Sequence, residues 1–387
     1  MSIFNSLGSN YVRGSAVYKL GANNAYAKDQ LAKYLQQRYG KSIQLTYKGR
    51  EALAVILQSA ARTGSFVAVN GYTCYAVYQA IVAAGLKPYY LDIERDELNF
   101  TAKTLGAALK KEPGITAVVI QNTLGMTCEI QQIRKLCTAH GAFLLEDLAH
   151  SIGLRYAHGK EAGTVGDGAA LSFSQDKMID AVSGGAAVMA GLKIEQVPAA
   201  RWHRFTTRLY PYASLVIRAT TSMMIGKFLL RALKSLRMLP GPMSGQALPV
   251  RMLPAWHSAA ALAAYSRLSK TIAHRQKIAA IYRRILPASV QLKHTEEAVY
   301  LRFPLLVENP RGLIAHLKQM HVYIGDRWYD APIAPMALMT GTDYVSGDCP
   351  NAEYVAARMV NLPTHLNIHE TQAEDLARKV AQWLKSQ

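Results

Sequence analysis

"FLLEDLAHSIG", residues 143–153, and "AALSFSQDKMIDAVSGG", residues 169–185, are strand-like runs that each end on a group able to do chemistry. The first delivers Asp147; the second leads within three residues to Lys177. Toward the N-terminus, "FVAVN" (66–70), "PYYLDI" (88–93) and "AVVIQN" (117–122) are further short β-rich runs. Segments with helical spacing lie between the first four runs, near 73–84, 101–111 and 129–140. Two more helices are predicted upstream, over "AKDQLAKYLQQRYG" (27–40) and "EALAVILQSAARTG" (51–64), each stopping on a glycine. Strand, helix, strand order predicts an α/β fold with a mostly parallel sheet sandwiched by helices. In such sheets ligands sit beyond the carboxyl ends of the strands. The strands as read bring Tyr72, Asn122, Asp147 and Lys177 to that rim.

Half of the 387 residues are apolar, enough for a large core, and the net charge is +18. The excess is local: between Glu195 and Glu296 there are sixteen Lys and Arg and no Asp or Glu. Within that block, "PYASLVIRATTSMMIGKFLLRALKSLRML" (211–239) is apolar but places Lys227, Arg231 and Lys234 on one helical face. It is too charged to span a bilayer. It reads either as an interfacial helix on an anionic membrane or as a segment packed at a dimer interface. No helix-turn-helix, zinc finger or RNP motif supports nucleic acid as the partner. "PGPMSG" (240–245) marks a predicted division into a large domain, 1–245, and a smaller α+β domain, 246–387. The N-terminus lacks the apolar core of a secretion signal, so the chain is expected to stay in the cytoplasm, peripheral to the membrane at most. The four cysteines have neither metal-ligand nor redox spacing and are expected to be small buried residues.

A lysine becomes a nucleophile when its pKa is lowered, and it is the side chain that forms Schiff bases with aldehydes. An aspartate aimed at a pyridine nitrogen keeps that nitrogen protonated and makes the ring an electron sink. Asp147 and Lys177, on successive strand ends, suit these two roles.

"LLEDLAHSIG" followed by "GTVGDGAALSFSQDKMIDAVSGGAAVM" closely resembles the signature of the DegT/DnrJ/EryC1/StrS family of pyridoxal-phosphate (PLP) aminotransferases, with Ser172, Phe173, Lys177, Gly184 and Gly185 in register. "KGREAL" (48–53) is similar to the family's phosphate-binding turn, and "CPNAEYVAARMVNLPTHLNIHETQAEDL" to its closing segment. The resemblance implies the fold-type I, aspartate aminotransferase-like architecture. It also implies a homodimer, and transfer of an amino group from glutamate or glutamine to a keto sugar, mostly nucleotide-linked.

By the same resemblance, Lys177 would be the Schiff-base lysine and proton shuttle, Asp147 the partner of the ring nitrogen and His150 a donor to the ring's O3′. Gly49, Arg50 and Ser172 would hold the phosphate, and Asn122 would lie near the ring oxygen. Tyr72 or Tyr75 would cover the ring, since Cys74 stands where relatives carry an aromatic. The small residues through Gly185 would let the backbone pass close to the flat cofactor. Pro249 stands where relatives carry the asparagine that reaches the partner subunit's phosphate, leaving Arg251 as the substrate or dimer contact. Some relatives carry His at the lysine position and catalyse dehydration; Lys177 points to transamination. The competing reading is a catalytically silent relative that acts at a membrane surface or in an assembly through its basic block.

Overall fold

The β-rich runs assemble into one seven-stranded sheet in a computed structural model that describes the whole chain except residues 1, 2, 5, 13, 19–25, 222–223, 242–244 and 325–327. Its strands are β1 (Ile43–Thr46), β2 (Phe66–Asn70), β3 (Lys87–Leu91), β4 (Ile115–Ile120), β5 (Phe143–Asp147), β6 (Gly168–Ser172) and β7 (Gly185–Met189). Their order is β1-β7-β6-β5-β4-β2-β3, and β7 alone among the seven runs antiparallel. β1 and β7 were not read from the sequence. β7 starts on the second glycine of the Gly184–Gly185 pair and continues with two alanines, which gives little β signal.

The other strands are apolar almost throughout because both faces are covered. Side chains alternate between two cores: Val67, Val69, Ala117, Val119 and Leu145 face one, and Ala68, Val118, Ile120 and Leu144 the other. The first core is closed by α2 (Gly49–Ala60) and α3 (Tyr75–Ala83). The second is closed by α1 (Ala27–Tyr39), α4 (Ala102–Lys111) and α5 (Ile130–His140). α1 ends on Gly40, as its sequence predicts, and α5 on Gly141, both in the left-handed conformation, φ 68° and 72°, whereas α2 ends at Ala60, short of the expected stop on Gly64.

Beyond the sheet, the basic block forms α6 (Arg201–Thr220) and α7 (Ile225–Ser235). α8 (Ala255–Tyr265) is apolar nearly all round and buries Trp256, Ala260, Ala261 and Tyr265 in the core that holds Leu31 and Leu35 of α1. α9 (Leu268–Ile285) starts in that core with Leu268, while its Ile278, Ile281 and Tyr282 enter a third core. There they meet β8 (Phe303–Leu306) and β9 (Met359–Leu362), an antiparallel pair, with α10 (Pro310–Gln319), α11 (Pro350–Arg358) and α12 (Glu370–Lys385). The packing therefore passes from one core to the other within α9, not at the expected boundary after residue 245. Part of "PGPMSG" lies outside the described residues.

Candidate active site

The carboxyl ends of β4, β5 and β6 and the N-terminus of α2 open onto one cavity of about 410 Å³, within the range of small-ligand sites. Asp147, on the last position of β5, is buried, and its Oδ1 accepts from the Ala149 N–H at 3.0 Å. Gln121 Nε2 donates to its Oδ2 at 3.4 Å, and Gln121 Oε1 accepts a very short hydrogen bond from Thr73 Oγ1. Burial pushes the Asp147 carboxyl up from its ordinary value, against the Ala149 N–H and the Lys177 cation, which favour the anion. Glu146, one residue earlier, points to the other face of the sheet. Its carboxylate accepts from the Gly163, Val165 and Gly166 N–H groups and from Tyr156. Period-two alternation thus makes one carboxylate of the "ED" pair a loop anchor and exposes the other to the cavity.

Lys177 lines the cavity, and burial pulls its ammonium below the ordinary lysine value. Nζ lies 4.5 Å from the centre of the Trp328 ring, a cation–π contact that the Arg302 guanidinium repeats at 4.1 Å. The loop that carries Lys177 is held by Asp180, whose carboxylate accepts from Tyr11 Oη at 2.7 Å and from the Asp176 and Val182 N–H groups at 2.8 and 3.0 Å. Asp176 and Val182 take positive φ, 60° and 68°, so the loop depends on that carboxylate. His150 Nδ1 accepts from the Leu124 N–H at 3.2 Å, which leaves Nε2 to carry the proton. Burial, then the Lys177 and Arg302 cations, keep this imidazole well below its ordinary pKa and neutral.

The third wall is the start of α2. Its N-cap, Lys48, is extended and offers no side-chain cap, so the first helical N–H groups remain available to an anion. Gly49 is required here: a Cβ would lie 2.7 Å from Ser172 Cβ. Gly185 serves the same contact, since its Cβ would meet Leu171 O at 2.6 Å and Gly49 Cα at 2.7 Å. Its smallness lets β7 approach the helix N-terminus, rather than a flat ligand as expected. Ser172, Arg50 and Lys48 complete the cup. Arg50 Nη1 donates to Gly245 O at 3.2 Å and to Gln79 Oε1 in a very short bond. Lys48 is only 5% exposed, and burial with the nearby Arg50 and Arg251 lowers its pKa to about 7.

The family model for the DegT/DnrJ/EryC1/StrS aminotransferases matches residues 9–200 and 247–381. This chain belongs to that family. GDP-perosamine synthase of Vibrio cholerae is 31% identical over 160 residues, which cover 41% of this chain and 42% of that protein, so the match spans less than half of the relative's length. The pleiotropic regulatory protein of Geobacillus stearothermophilus is 23% identical over 97% of this chain and 91% of its own. The PLP form of the putative sugar aminotransferase Spr1654 from Streptococcus pneumoniae shares the fold, with a TM-score of 0.75 at 15% identity over 100% of this chain and 99% of that one. So does an aminotransferase of the same family from Brucella abortus, at TM-score 0.71 and 20% identity over 95% and 94%. The family model passes over residues 201–246, which hold α6 and α7.

The family's aminotransferases depend on PLP, and the site fits that group. A glycine cradle at an uncapped helix start with a buried, unpaired ammonium suits a phosphate, and a buried carboxylate across the cavity suits a ring nitrogen. Gly49, Arg50, Asp147, His150, Ser172 and Lys177 all line this aminotransferase cavity.

Four expected residues do not. Asn122 turns away, donating to Tyr156 Oη at 2.8 Å and accepting from the Cys128 N–H at 3.2 Å. The strand ends at Ile120, so Gln121 reaches the cavity in its place, because a one-residue change of register flips the face. Tyr72 is fully buried in the third core, its hydroxyl donating to Tyr329 O at 2.7 Å, and Tyr75 does not line the cavity either. Cys74 occupies that wall, which also revises the expectation that all four cysteines are buried; Cys74 and Cys128 are half-buried. Arg251 faces an adjoining cavity of about 890 Å³ and is committed within the chain to Glu51, by an ion pair of 2.6 Å and an Nε hydrogen bond of 2.7 Å. Trp328 and Tyr329 were not found from sequence, since nothing local ties residue 328 to Lys177.

Proposed function

We propose that the chain transfers an amino group from glutamate or glutamine to a keto sugar carried on a nucleotide, for the synthesis of polysaccharide, lipopolysaccharide or a secondary metabolite. The observation that carries this reading is the convergence of Lys177, Asp147 and the start of α2 on one cavity. When bound, PLP supplies an aldehyde that condenses with amines and a pyridinium ring that delocalises the electron pair left when Cα loses its proton. Asp147 would keep a proton on a ring nitrogen, with Gln121 and the Ala149 N–H fixing the carboxylate's orientation. Lys177 Nζ, biased toward its neutral form by burial, would take a proton at one carbon and return it at another. The Nε2–H of neutral His150 is the hydrogen-bond donor left for a ring oxygen. Trp328 lies against the Lys177 ammonium.

The relatives, among them GDP-perosamine synthase and putative sugar aminotransferases, support a keto-sugar acceptor. The retained lysine supports transamination over dehydration, and a homodimer is part of the same reading. Added PLP is expected to give the purified protein a visible absorbance band, lost in Lys177→Ala. A panel of nucleotide-linked keto sugars with glutamate as donor then identifies the acceptor. Failure to bind PLP would overturn the assignment.

A further inference from the structure

α7 leaves two large apolar side chains, Ile225 and Phe228, on its outer face. Gly226, Leu230 and Lys234, at i, i+4 and i+8, face the body of the protein. Gly226 is buried against Ile217 and Thr221 of α6, and Leu230 and Lys234 line the cavity that adjoins the active site. On the opposite side Phe228 is 76% exposed, Leu236 63% and Ile225 54%. Arg231 stands exposed beside this apolar stripe. α6 leaves Leu215 and Val216 about half exposed as well. Among the described residues every ion pair lies outside α6 and α7, so none of their cations meets a carboxylate.

We infer that the α6–α7 pair is a docking surface for anionic phospholipid, seated with the outer face of α7 in the headgroup layer. Three observations select this occupant. The apolar stripe with flanking cations has the pattern of an interfacial helix. α6 and α7 carry seven Lys and Arg and no acid, which complements a negative surface. A second copy is the weaker candidate, because a twofold contact sets a patch against itself and here opposes cations with no carboxylate of the segment to pair them. The surface belongs to residues 201–246, the stretch that the family model does not match, so it is an addition to the shared fold. Among the described residues no helix is long and apolar enough to cross a membrane, so the contact is peripheral. α7 also walls the cavity beside the active site, and docking through its outer face would hold that cavity close to the lipid surface.

Co-sedimentation of the full chain with phosphatidylcholine vesicles, with and without phosphatidylglycerol, tests this directly. Binding is expected only with phosphatidylglycerol and is expected to fall as salt is raised. Arg231→Gln lowers partitioning about fivefold. Ile225→Asp with Phe228→Asp abolishes it, while thermal melting and the sedimentation coefficient stay unchanged. Equal behaviour with the two lipids, or vesicle binding indifferent to these variants, overturns the inference. A drop in oligomer size in the Asp variants also overturns it and assigns the face to contact between copies. None of these readouts depends on PLP or on activity.

Discussion

At the sheet rim, Asp147, His150 and Lys48 are polar groups kept from water, whereas on α7 Phe228 and Ile225 are apolar groups kept in it. Each arrangement costs free energy in the isolated chain. A buried ionisable group loses hydration and shifts toward its neutral form, as the pKa of about 7 for Lys48 shows. An exposed side chain forgoes about 25 cal/mol for each Å² of apolar surface left in water. The rim's arrangement suits a compact anion and an aromatic ring; the arrangement on α7 suits an extended surface. A ligand site and a docking face are therefore recognised by opposite departures from ordinary burial.

The contrast can be broken by substitution, most severely at the chemistry. Lys177→Ala is expected to slow amino transfer by about 10⁴-fold or more and to remove the PLP absorbance band, read by stopped-flow absorbance. Next come two changes in the packing beside the site. Phe173→Ala, beside the lysine loop and fully buried, is expected to cost about 3–5 kcal/mol in urea unfolding. Gly49→Ala, whose Cβ collides with Ser172, is expected to cost about 1–3 kcal/mol and to weaken PLP binding measured by titration.

Lys48→Met separates stability from binding. The folded chain releases the Lys48 proton near pH 7, the unfolded chain near 10.5, so between these values the unfolded state holds more protons. Stability on this account rises with pH from about 7 to 10.5. Removing the ammonium flattens that slope, stabilises the cofactor-free protein at pH 7 by about 1–2 kcal/mol, and weakens its hold on phosphate. Melting curves at pH 7 and 9 check the sign. Phe228→Ala, the exposed counterpart of Phe173, is expected to change stability by less than about 0.5 kcal/mol while lowering vesicle binding. A large loss of stability there would show that α7 is packed, and the comparison would fail.

The sequence by itself determined the order of the helices and of every sheet strand but β1 from residue 27 to Asp147, the lysine, the aspartate beside it and the glycine turn at the start of α2. Those features are local: periodicity, glycine stops and a motif whose spacing is set by a single strand, turn or loop. Asn122 failed because strand ends are read to within a residue or two, and a one-residue error sends a side chain to the other face. Tyr72 failed because its burial in the small domain's core, with its hydroxyl on Tyr329, depends on residues some 257 positions away. Only the tertiary structure decided that Glu146 anchors a loop, that Trp328 stacks on Lys177, that Lys48 is buried without an acid, and that α7 turns its apolar face outward. Each depends on what packs from another element, and burial, unlike periodicity, is a property of the whole assembled chain.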